Sequence, residues 1–310
     1  AFMQIPPERA RDHRDAPLIV ELRNVYHGAM FLDTPIGFVS ERSIAAGALQ
    51  RYRVVLVPAI THIDDTTLQA LMAFVSRGGR MIITPRSFAR DPYHRPRQRP
   101  EGFPQVSGLG FAGLLKNPTD AQLADPGFIE RQALSPGDPR IPEARIDANE
   151  WDALRFAARD LAGVGVRLRF GATPNGQVLG RFRDDRSPAI IRTRHGAGAI
   201  YHCAIPLRPR SYARVAEAVF GEAGVNRPVR LLGADGEPAW GVESWVCAFG
   251  DDRRDLLVAA VNLRAAPVQL ALSGERTILG VHDLIANQPG ATRFTLKPLE
   301  TRLLRLKVAD

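Results

Sequence analysis

Two short apolar runs on either side of an amphipathic stretch form the clearest pattern in the chain. The runs are Val54 to Val57 and Met81 to Thr84, and each ends at a proline. Between them, apolar residues fall at the i, i+3, i+4 and i+7 positions of one helix face, namely Leu68, Leu71, Met72 and Val75. Two short apolar strands joined by such a helix are expected to be parallel, with a right-handed crossover. The pattern predicts a strand–helix–strand unit of an α/β fold.

The rest of the first two thirds of the chain is less regular. Residues 17–32 are typical of a strand running into a helix, or of one continuous helix, and Ile36 to Val39 of a short strand. A helix is predicted over 151–162, where Trp151 and Leu154 share a face with later apolar residues. Three adjacent strands joined by tight turns are predicted at 177–183, 188–194 and 199–205, followed by a helix from Ser211 to Gly224.

This pattern predicts three segments. Residues 1–16 are Pro-rich and charged, like a linker, and residues 17–230 are predicted to form an α/β domain of the flavodoxin-like kind, with a mostly parallel sheet flanked by helices. Within it, residues 86–150 are predicted to be a lid, an extended loop or an insertion. Residues 231–310 are predicted to form a small antiparallel β-sandwich. Its strand candidates are 242–249, 255–263, 268–272, 293–297 and 302–307.

The composition indicates a soluble globular protein, with 45% hydrophobic and 24% charged residues among 310. The formal charge is +8, and lysine occurs only at three positions, so arginine supplies most of it. Such a charge favours non-specific attraction to polyanions, and we attribute the arginine bias to coding composition. No apolar run is long enough to span a membrane and no signal peptide is evident, so a cytoplasmic location is expected. The chain does not begin with Met, which suggests a longer polypeptide.

The cysteines and histidines offer no metal pattern. Cys203 and Cys247 both lie in apolar, strand-like segments, which predicts two buried free thiols. A disulfide between them is the alternative, which their spacing does not decide. The chain has no CxxC, HxxxH or HExxH motif, so neither a metal site nor a cofactor is predicted.

Polar residues follow both apolar runs, at the strand ends where open α/β sheets bind ligands. Thr61, His62 and Asp64 follow the first run, and Arg86 and Ser87 follow the second. His62, Asp64, Arg86 and Ser87 are the candidate ligand-binding residues, which would hydrogen-bond a sugar or line the rim of a partner's active site. The alternative is that Asp64 only caps the helix, that His62 is a surface residue and that Arg86 pairs with a carboxylate.

The other polar or basic segments are better explained by structural roles than by ligand binding. The run 86–100 interleaves arginines with aromatic residues, but without a sheet platform or recognition helix, so nucleic-acid binding is disfavoured. The adjacent acids Asp184–Asp185 and Asp251–Asp252 are predicted to serve hairpin turns, as is the glycine-rich segment His195–Gly198. Trp151 is predicted to lie in the core.

The residues YRVVLVPAITHIDDTTLQALMAFVSRGGRMIIT, at 52–84, resemble the trimerisation domain of family-42 beta-galactosidases. That domain is related to the class I glutamine amidotransferase fold. The closing part of that domain is similar to residues 178–207, VLGRFRDDRSPAIIRTRHGAGAIYHCAIPL. The β-sandwich that ends those enzymes is similar to the sequence from Val242 onward. The resemblance covers about residues 17–310. It implies an amidotransferase-like domain, a homotrimer, and a carbohydrate partner bound through a catalytic barrel.

The chain departs from that family in one respect. The catalytic glutamates of the family lie on a preceding (β/α)8 barrel, for which this chain has no room, so no catalytic residue is assigned. The position after Met81 to Thr84 carries Pro85, Arg86 and Ser87 in place of the amidotransferase cysteine. The resemblance therefore implies a non-catalytic accessory and oligomerisation portion of a glycoside hydrolase. The alternative is a stand-alone binding or regulatory protein that uses the amidotransferase-like fold without its chemistry and binds a small polar ligand.

Overall fold

The computed structural model describes residues 17–85, 87–98, 100, 102–111, 143–154, 159–171, 173, 175–225, 227–249 and 254–309. These residues form two compact units. The first contains the described residues up to Tyr26 together with Phe38–Gly224, and the second contains His27–Gly37 and the described residues from Val225 onward. The predicted domain boundary after residue 230 stays a prediction.

Four α-helices are described. They are α1 (Pro17–Ala29), α2 (Glu41–Ala45), α3 (Asp65–Ser76) and α4 (Pro209–Glu222). A short 3₁₀ helix follows α2 at Ala48–Arg51. None of these described helices has the length and apolarity needed to cross a bilayer.

The first unit is built on one seven-stranded sheet and one two-stranded sheet. Its strands are β1 (Val54–Val57), β2 (Arg80–Ile83), β3 (Val106–Phe111), β4 (Ala144–Asp147), β5 (Asp160–Gly163), β6 (Val166–Phe170), β7 (Gly176–Phe182), β8 (Pro188–His195) and β9 (Gly198–Cys203). The large sheet has the order β1-β2-β9-β8-β7-β4-β5, and β3 pairs with β6 in the small one. The predicted strand–helix–strand unit is confirmed, because β1 and β2 are parallel and α3 joins them.

The large sheet is mixed, so the prediction of a mostly parallel sheet is wrong. Only β1–β2 and β2–β9 pair in parallel, whereas β9–β8, β8–β7, β7–β4 and β4–β5 are antiparallel. The reason lies in the connections. A parallel pair needs a long crossover, and the tight turns that join β7, β8 and β9 allow only antiparallel pairing.

The core beside the parallel strands is made by the predicted stripe of α3. Leu71 and Val75 of that stripe, with Phe74, which was not predicted, pack in one cluster with β1 and β2 side chains, including Val57 and Met81. Full burial of each such side chain stabilises the fold by about 1.5–3 kcal/mol. Helix α3 therefore fixes the two strand ends from which the candidate site extends.

Three further predictions for the first unit have different outcomes. Residues 17–29 form one helix, as the second of the two alternatives had it. No strand forms at 36–39, and Phe38 is exposed there. Of the helix predicted over 151–162, residues 155–158 lie outside the described residues, and its last part is wrong, because Asp160–Gly163 is β5 and pairs with β4. Trp151 and Leu154 are nevertheless buried, since apolar spacing marks which side chains face the core and not the element that carries them.

The second unit consists of two antiparallel sheets. Its strands are β10 (Val229–Gly233), β11 (Val242–Phe249), β12 (Asp255–Asn262), β13 (Val268–Gly274), β14 (Ile278–Asp283), β15 (Gln288–Pro289), β16 (Arg293–Leu296) and β17 (Thr301–Val308). The sheet orders are β10-β13-β16 and β11-β12-β17-β14-β15. Residues of both sheets, such as Leu231 and Leu270 of one and Val258 and Leu304 of the other, share one hydrophobic cluster. All five strand candidates are confirmed, and β10, β14 and β15 were missed.

The two cysteines differ in exposure, so the prediction that both are buried is wrong for one of them. Cys203 is buried and free, whereas Cys247 is free and exposed, on an edge strand of the five-stranded sheet. Burial, and then the charge of Glu21, raises the pKa of the Cys203 thiol far above its usual range. Cys203 is therefore held as the unreactive thiol form.

This difference predicts selective labelling. In the folded protein at pH 8, a thiol reagent such as an aromatic disulfide should modify one cysteine per chain, at position 247. Unfolding in urea should release the second. The Cys247→Ser variant should give no labelling before unfolding, and rapid labelling of that variant while folded would contradict the assignment.

Candidate functional site

The chain leaves β1 and β2 in two segments that remain paired with each other beyond the sheet. The Oγ1 atom of Thr84 accepts a hydrogen bond of 2.7 Å from the backbone N–H of Ala59, and Ser87 donates its hydroxyl to the Val57 carbonyl at 3.1 Å. Further along, the N–H of Phe88 bonds the Ile60 carbonyl. Side-chain and backbone hydrogen bonds therefore hold residues 59–63 against 84–90, and they use the Ser87 hydroxyl for structure.

His62 forms a polar contact at this edge with a residue that sequence reasoning did not connect to it. Its Nε2 lies 2.9 Å from Nδ1 of His94, and the ring centroids are 4.5 Å apart in an edge-to-face arrangement. A bridge between His62 and Arg90 brings the segments together. The side chain of Asp91 accepts hydrogen bonds from the N–H groups of Tyr93 and Arg95, which turns His94 back toward His62.

This imidazole pair has a defined chemical capacity. One ring nitrogen donates and the other accepts, and which does which depends on the tautomer of each ring. Imidazole nitrogens form hydrogen bonds with hydroxyl groups in either role. Among the described residues, no group of three or more His, Cys, Asp or Glu is arranged to hold a metal ion. The pair can therefore serve as a polar contact for a hydroxylated ligand.

Asp64 caps helix α3, which is the structural alternative considered for it. Its Oδ1 accepts the N–H of Thr67 at 2.7 Å, and its Oδ2 accepts the Thr67 hydroxyl at 2.8 Å. Burial alone would raise the pKa of the Asp64 carboxyl, but the hydrogen bonds from Thr67 and from the backbone N–H of Thr66 outweigh it and hold that pKa below its usual value. The folded state thus favours the carboxylate form of Asp64.

Removing this cap should weaken the first unit. Asp64→Ala is expected to lower the free energy of unfolding by about 1 kcal/mol at pH 7, because an orphan helix N–H loses its partner. Because the folded pKa is lowered, the stabilisation is present above the ordinary pKa of Asp and is lost as the pH falls through the folded value. The difference between wild type and variant, measured by urea unfolding, should therefore become smaller in acid.

Asp64→Asn is the matched control, since an uncharged amide caps a helix about as well as a carboxylate. It should retain most of the stability at pH 7 and should lack the loss in acid. An Asp64→Ala variant with unchanged stability across the whole pH range would contradict the capping role.

The arginines of the run 86–100 mostly bind groups of this same edge. Arg97 forms an ion pair with Asp65 and donates from Nη2 to the Ile63 carbonyl at 2.9 Å, while Arg90 donates to the His94 carbonyl. The guanidinium of Arg95 lies 5.4 Å from the ring centroid of Tyr93. These contacts anchor the loop to the edge of the first unit, and the interpretation that it does not bind nucleic acid stays a prediction.

The four predicted site residues thus have separate environments. His62 meets His94, Asp64 caps α3 and Ser87 bonds a backbone carbonyl, whereas Arg86 lies outside the described residues. Their role in ligand binding stays a prediction. The contribution of His94 was missed because only the turn at Asp91 brings it near, and the sequence shows that turn as one more polar residue in a basic loop.

The paired acids of the first unit serve a turn, as predicted. Arg167 is almost fully buried, and its guanidinium lies 3.5 Å from the ring centroid of Phe182. It forms ion pairs with Asp184 and Asp185 at the β7–β8 turn. Burial alone would raise the pKa of the Asp185 carboxyl, but hydrogen bonds from Ser187 and Arg167 outweigh it and lower that pKa. Asp251 and Asp252 lie outside the described residues.

A second polar cluster was not predicted at all. The carboxylate of Glu222, at the end of α4, accepts hydrogen bonds from Trp151 Nε1 at 2.7 Å, from the Tyr201 hydroxyl and from Arg192 at 2.8 Å. Burial and the charge of Glu222 raise the pKa of Tyr201. Trp151 stacks on Tyr201, with 5.6 Å between ring centroids. All three donors converge on one acid, so the cluster ties α4 to the sheet.

Comparison with known proteins finds a family match in the first part of the chain. Residues 10–105 match the family described as the beta-galactosidase trimerisation domain. The beta-galactosidase BglY of Alicyclobacillus acidocaldarius is 28% identical over 217 residues, which is 70% of this chain and 28% of that relative.

Solved structures share the fold over nearly the whole chain. The beta-galactosidase of Bacillus circulans sp. alkalophilus superposes with a TM-score of 0.67 at 15% identity, covering 94% of this chain and 38% of that one. The cold-adapted beta-galactosidase of Rahnella sp. R3 gives a TM-score of 0.65 at 16% identity, covering 93% and 36%. The chain therefore spans less than two fifths of the length of these relatives.

Proposed function

We propose that this chain, which carries the trimerisation domain of the family-42 beta-galactosidases, is a non-catalytic accessory and oligomerisation portion of a glycoside hydrolase. The match of residues 10–105 to that domain carries the proposal. The fold supports it, because beta-galactosidases superpose on 93–94% of this chain with only 36–38% of their own length. The remainder of such an enzyme is where catalytic carboxylates would lie.

The use of the acidic residues agrees with an accessory role. Glycosidases place two carboxyl groups about 5–10 Å apart across a cleft. Here Asp184 and Asp185 bind Arg167, Glu222 accepts three hydrogen bonds, and Asp64 caps a helix. These acids stabilise the fold, so we place the catalysis on a partner barrel, as part of the same polypeptide or as another subunit.

We further propose the finer architecture that the resemblance implies. The first unit would be an amidotransferase-like α/β domain whose chemistry has been lost. The second would be a β-sandwich, an interpretation supported by two antiparallel sheets that share one hydrophobic cluster. The predicted assembly is a homotrimer. His62, with His94 beside it, is proposed to face a saccharide held mainly by the barrel, because it follows β1 at the edge where α/β sheets bind ligands.

The proposal is tested with the 310-residue chain alone. Aryl β-galactosides should not be hydrolysed above the buffer rate, and analytical ultracentrifugation should give three times the chain mass. Turnover that disappears when one carboxylate of residues 17–310 is replaced by an amide would overturn the accessory role.

A calorimetric titration separates this proposal from a stand-alone binding protein. With galactose or lactose, the isolated chain should give no heat, because the barrel is missing. Heat that is lost in His62→Ala but kept in the control His195→Ala, at the end of β8, would instead favour the stand-alone binder.

A further inference from the structure

The exposed apolar side chains of the first unit are unevenly distributed. In the described part of this unit, the exposed large apolar residues all lie between positions 19 and 106. None lies within the described part of 143–224. They are Ile19, Tyr26, Phe38, Tyr93 and Val106. Single exposed apolar residues are ordinary, but a concentration of them marks an interaction surface.

Three of these side chains form a patch, which we call the Phe38 patch and define as Ile19, Tyr26 and Phe38. The rings of Tyr26 and Phe38 stack with centroids 6.0 Å apart and an angle of 26° between their planes. Ile19 lies seven residues before Tyr26, so it occupies the same face of α1, about two turns away. Phe38 is 71% exposed. The patch thus presents apolar surface from a helix and from the segment that follows it.

The position of Phe38 is fixed by the local structure. Ser40, two residues later, caps α2 in a reciprocal arrangement with Ser43, with hydrogen bonds of 3.2 Å and 2.8 Å. On the other side, Phe38 stacks on the ring of Tyr26. A side chain held in place before binding loses less conformational entropy when a partner covers it. Exposed, preordered aromatic residues are enriched at protein–protein interfaces.

We infer that the Phe38 patch is the surface through which one copy of this chain binds the next. The inference rests on the proposed oligomerisation function, because all three residues lie within the segment that matches the trimerisation domain. A three-fold assembly closes through a head-to-tail interface, in which a patch on one copy meets a different surface on its neighbour. A single apolar patch per chain is then sufficient, and it need not be complementary to itself.

The experiment measures the assembly of the full 310-residue chain by analytical ultracentrifugation over a wide concentration range. Phe38→Asp should weaken the trimer by at least about 30-fold, since a charge at a buried aromatic position removes a dominant contact. Phe38→Leu should retain most of the assembly. Leu299→Asp is the matched control, because Leu299 is similarly exposed in the second unit, outside the matched segment. It should assemble as the wild type does.

The outcomes separate the two proposals. If the wild type and Phe38→Asp are equally stable trimers, the patch faces something else, such as the barrel, and only this inference fails. If the wild type stays monomeric at every concentration, the oligomerisation function fails with it. If Leu299→Asp dissociates as readily as Phe38→Asp, the effect is general and the patch is not the interface. Circular dichroism confirms that each variant is folded.

Discussion

Replacing Gly198 with alanine should destabilise the first unit by about 3 kcal/mol or more, because the added methyl group overlaps the backbone. Gly198 is the first residue of β9, and its hairpin with β8 packs against the end of helix α3. A Cβ atom at this position would lie 2.1 Å from the carbonyl oxygen of Val75 and 2.3 Å from that of Gly79. Neither atom belongs to a flexible side chain. Relief would require moving α3 away from the sheet, which separates Val75 from the core.

Gly221→Ala is the matched control for this prediction. Gly221 lies in the last turn of α4, and a Cβ there would meet nothing within 4 Å. Alanine should therefore stabilise the unit by about 0.5–1 kcal/mol. Urea unfolding followed by the fluorescence of Trp151, in a background with the other two tryptophans replaced by phenylalanine, reports on this unit. If the two glycine variants have equal stability, the close approach of α3 to the hairpin is wrong.

Asn262→Ala should destabilise the second unit by about 3 kcal/mol, because it leaves one buried and several partly buried backbone groups without this partner. The Asn262 side chain is fully buried at the end of β12. Its amide nitrogen lies 3.0 Å from each of the carbonyl oxygens of Ala266, Leu296 and Lys297, and its Oδ1 accepts the N–H of Arg264 at 2.9 Å. One side chain thereby joins the turn after β12 to the end of β16.

Leu263→Ala is the control, since its side chain is the exposed neighbour of Asn262. A surface substitution of this kind should change stability by less than about 0.5 kcal/mol. Differential scanning calorimetry would measure the unfolding temperature of both variants against the wild type. An Asn262→Ala variant as stable as Leu263→Ala would show that the turn groups find water or other partners instead.

The local hydrophobic pattern was sufficient to predict elements whose packing residues, caps and turns lie close together along the chain. The unit β1–α3–β2 could be predicted because its apolar stripe, its Asp64 cap and its closing glycines lie within thirty residues of one another. Five of the strands of the second unit could be predicted for the same reason, since alternation along a strand marks the face that packs inward.

The nature of the large sheet could not be predicted in the same way. Strand direction depends on which strands become neighbours, and β4 and β5 join the sheet through pairings with β7 and with each other. Leu161 in β5 is as apolar in a helix as in a strand, so its spacing from Trp151 and Leu154 did not distinguish the two. Tertiary pairing decided the element.

The candidate site shows the same division. Capping by Asp64 follows from its place just before an amphipathic stretch, and was among the interpretations of the sequence. The contact of His62 with His94 joins residues 32 positions apart through a turn held by Asp91. Asn262 is similar, because a single asparagine after a strand is typical of a turn, and its four partners are known only from the fold.

During synthesis, β2 leaves the ribosome well before β9, the strand that pairs with it in the sheet. Arg80 and Ala199 are paired in the sheet but are 119 positions apart (199 − 80) along the chain. At a synthesis rate of about 5–20 residues per second, roughly 6–24 s pass between the emergence of β2 and that of β9. During that interval Met81 and Ile82, both fully buried in the finished protein, lack the strand that covers their edge. Co-translational chaperones that shield apolar segments should therefore bind the nascent chain here, and slowing translation between positions 83 and 198 should increase aggregation.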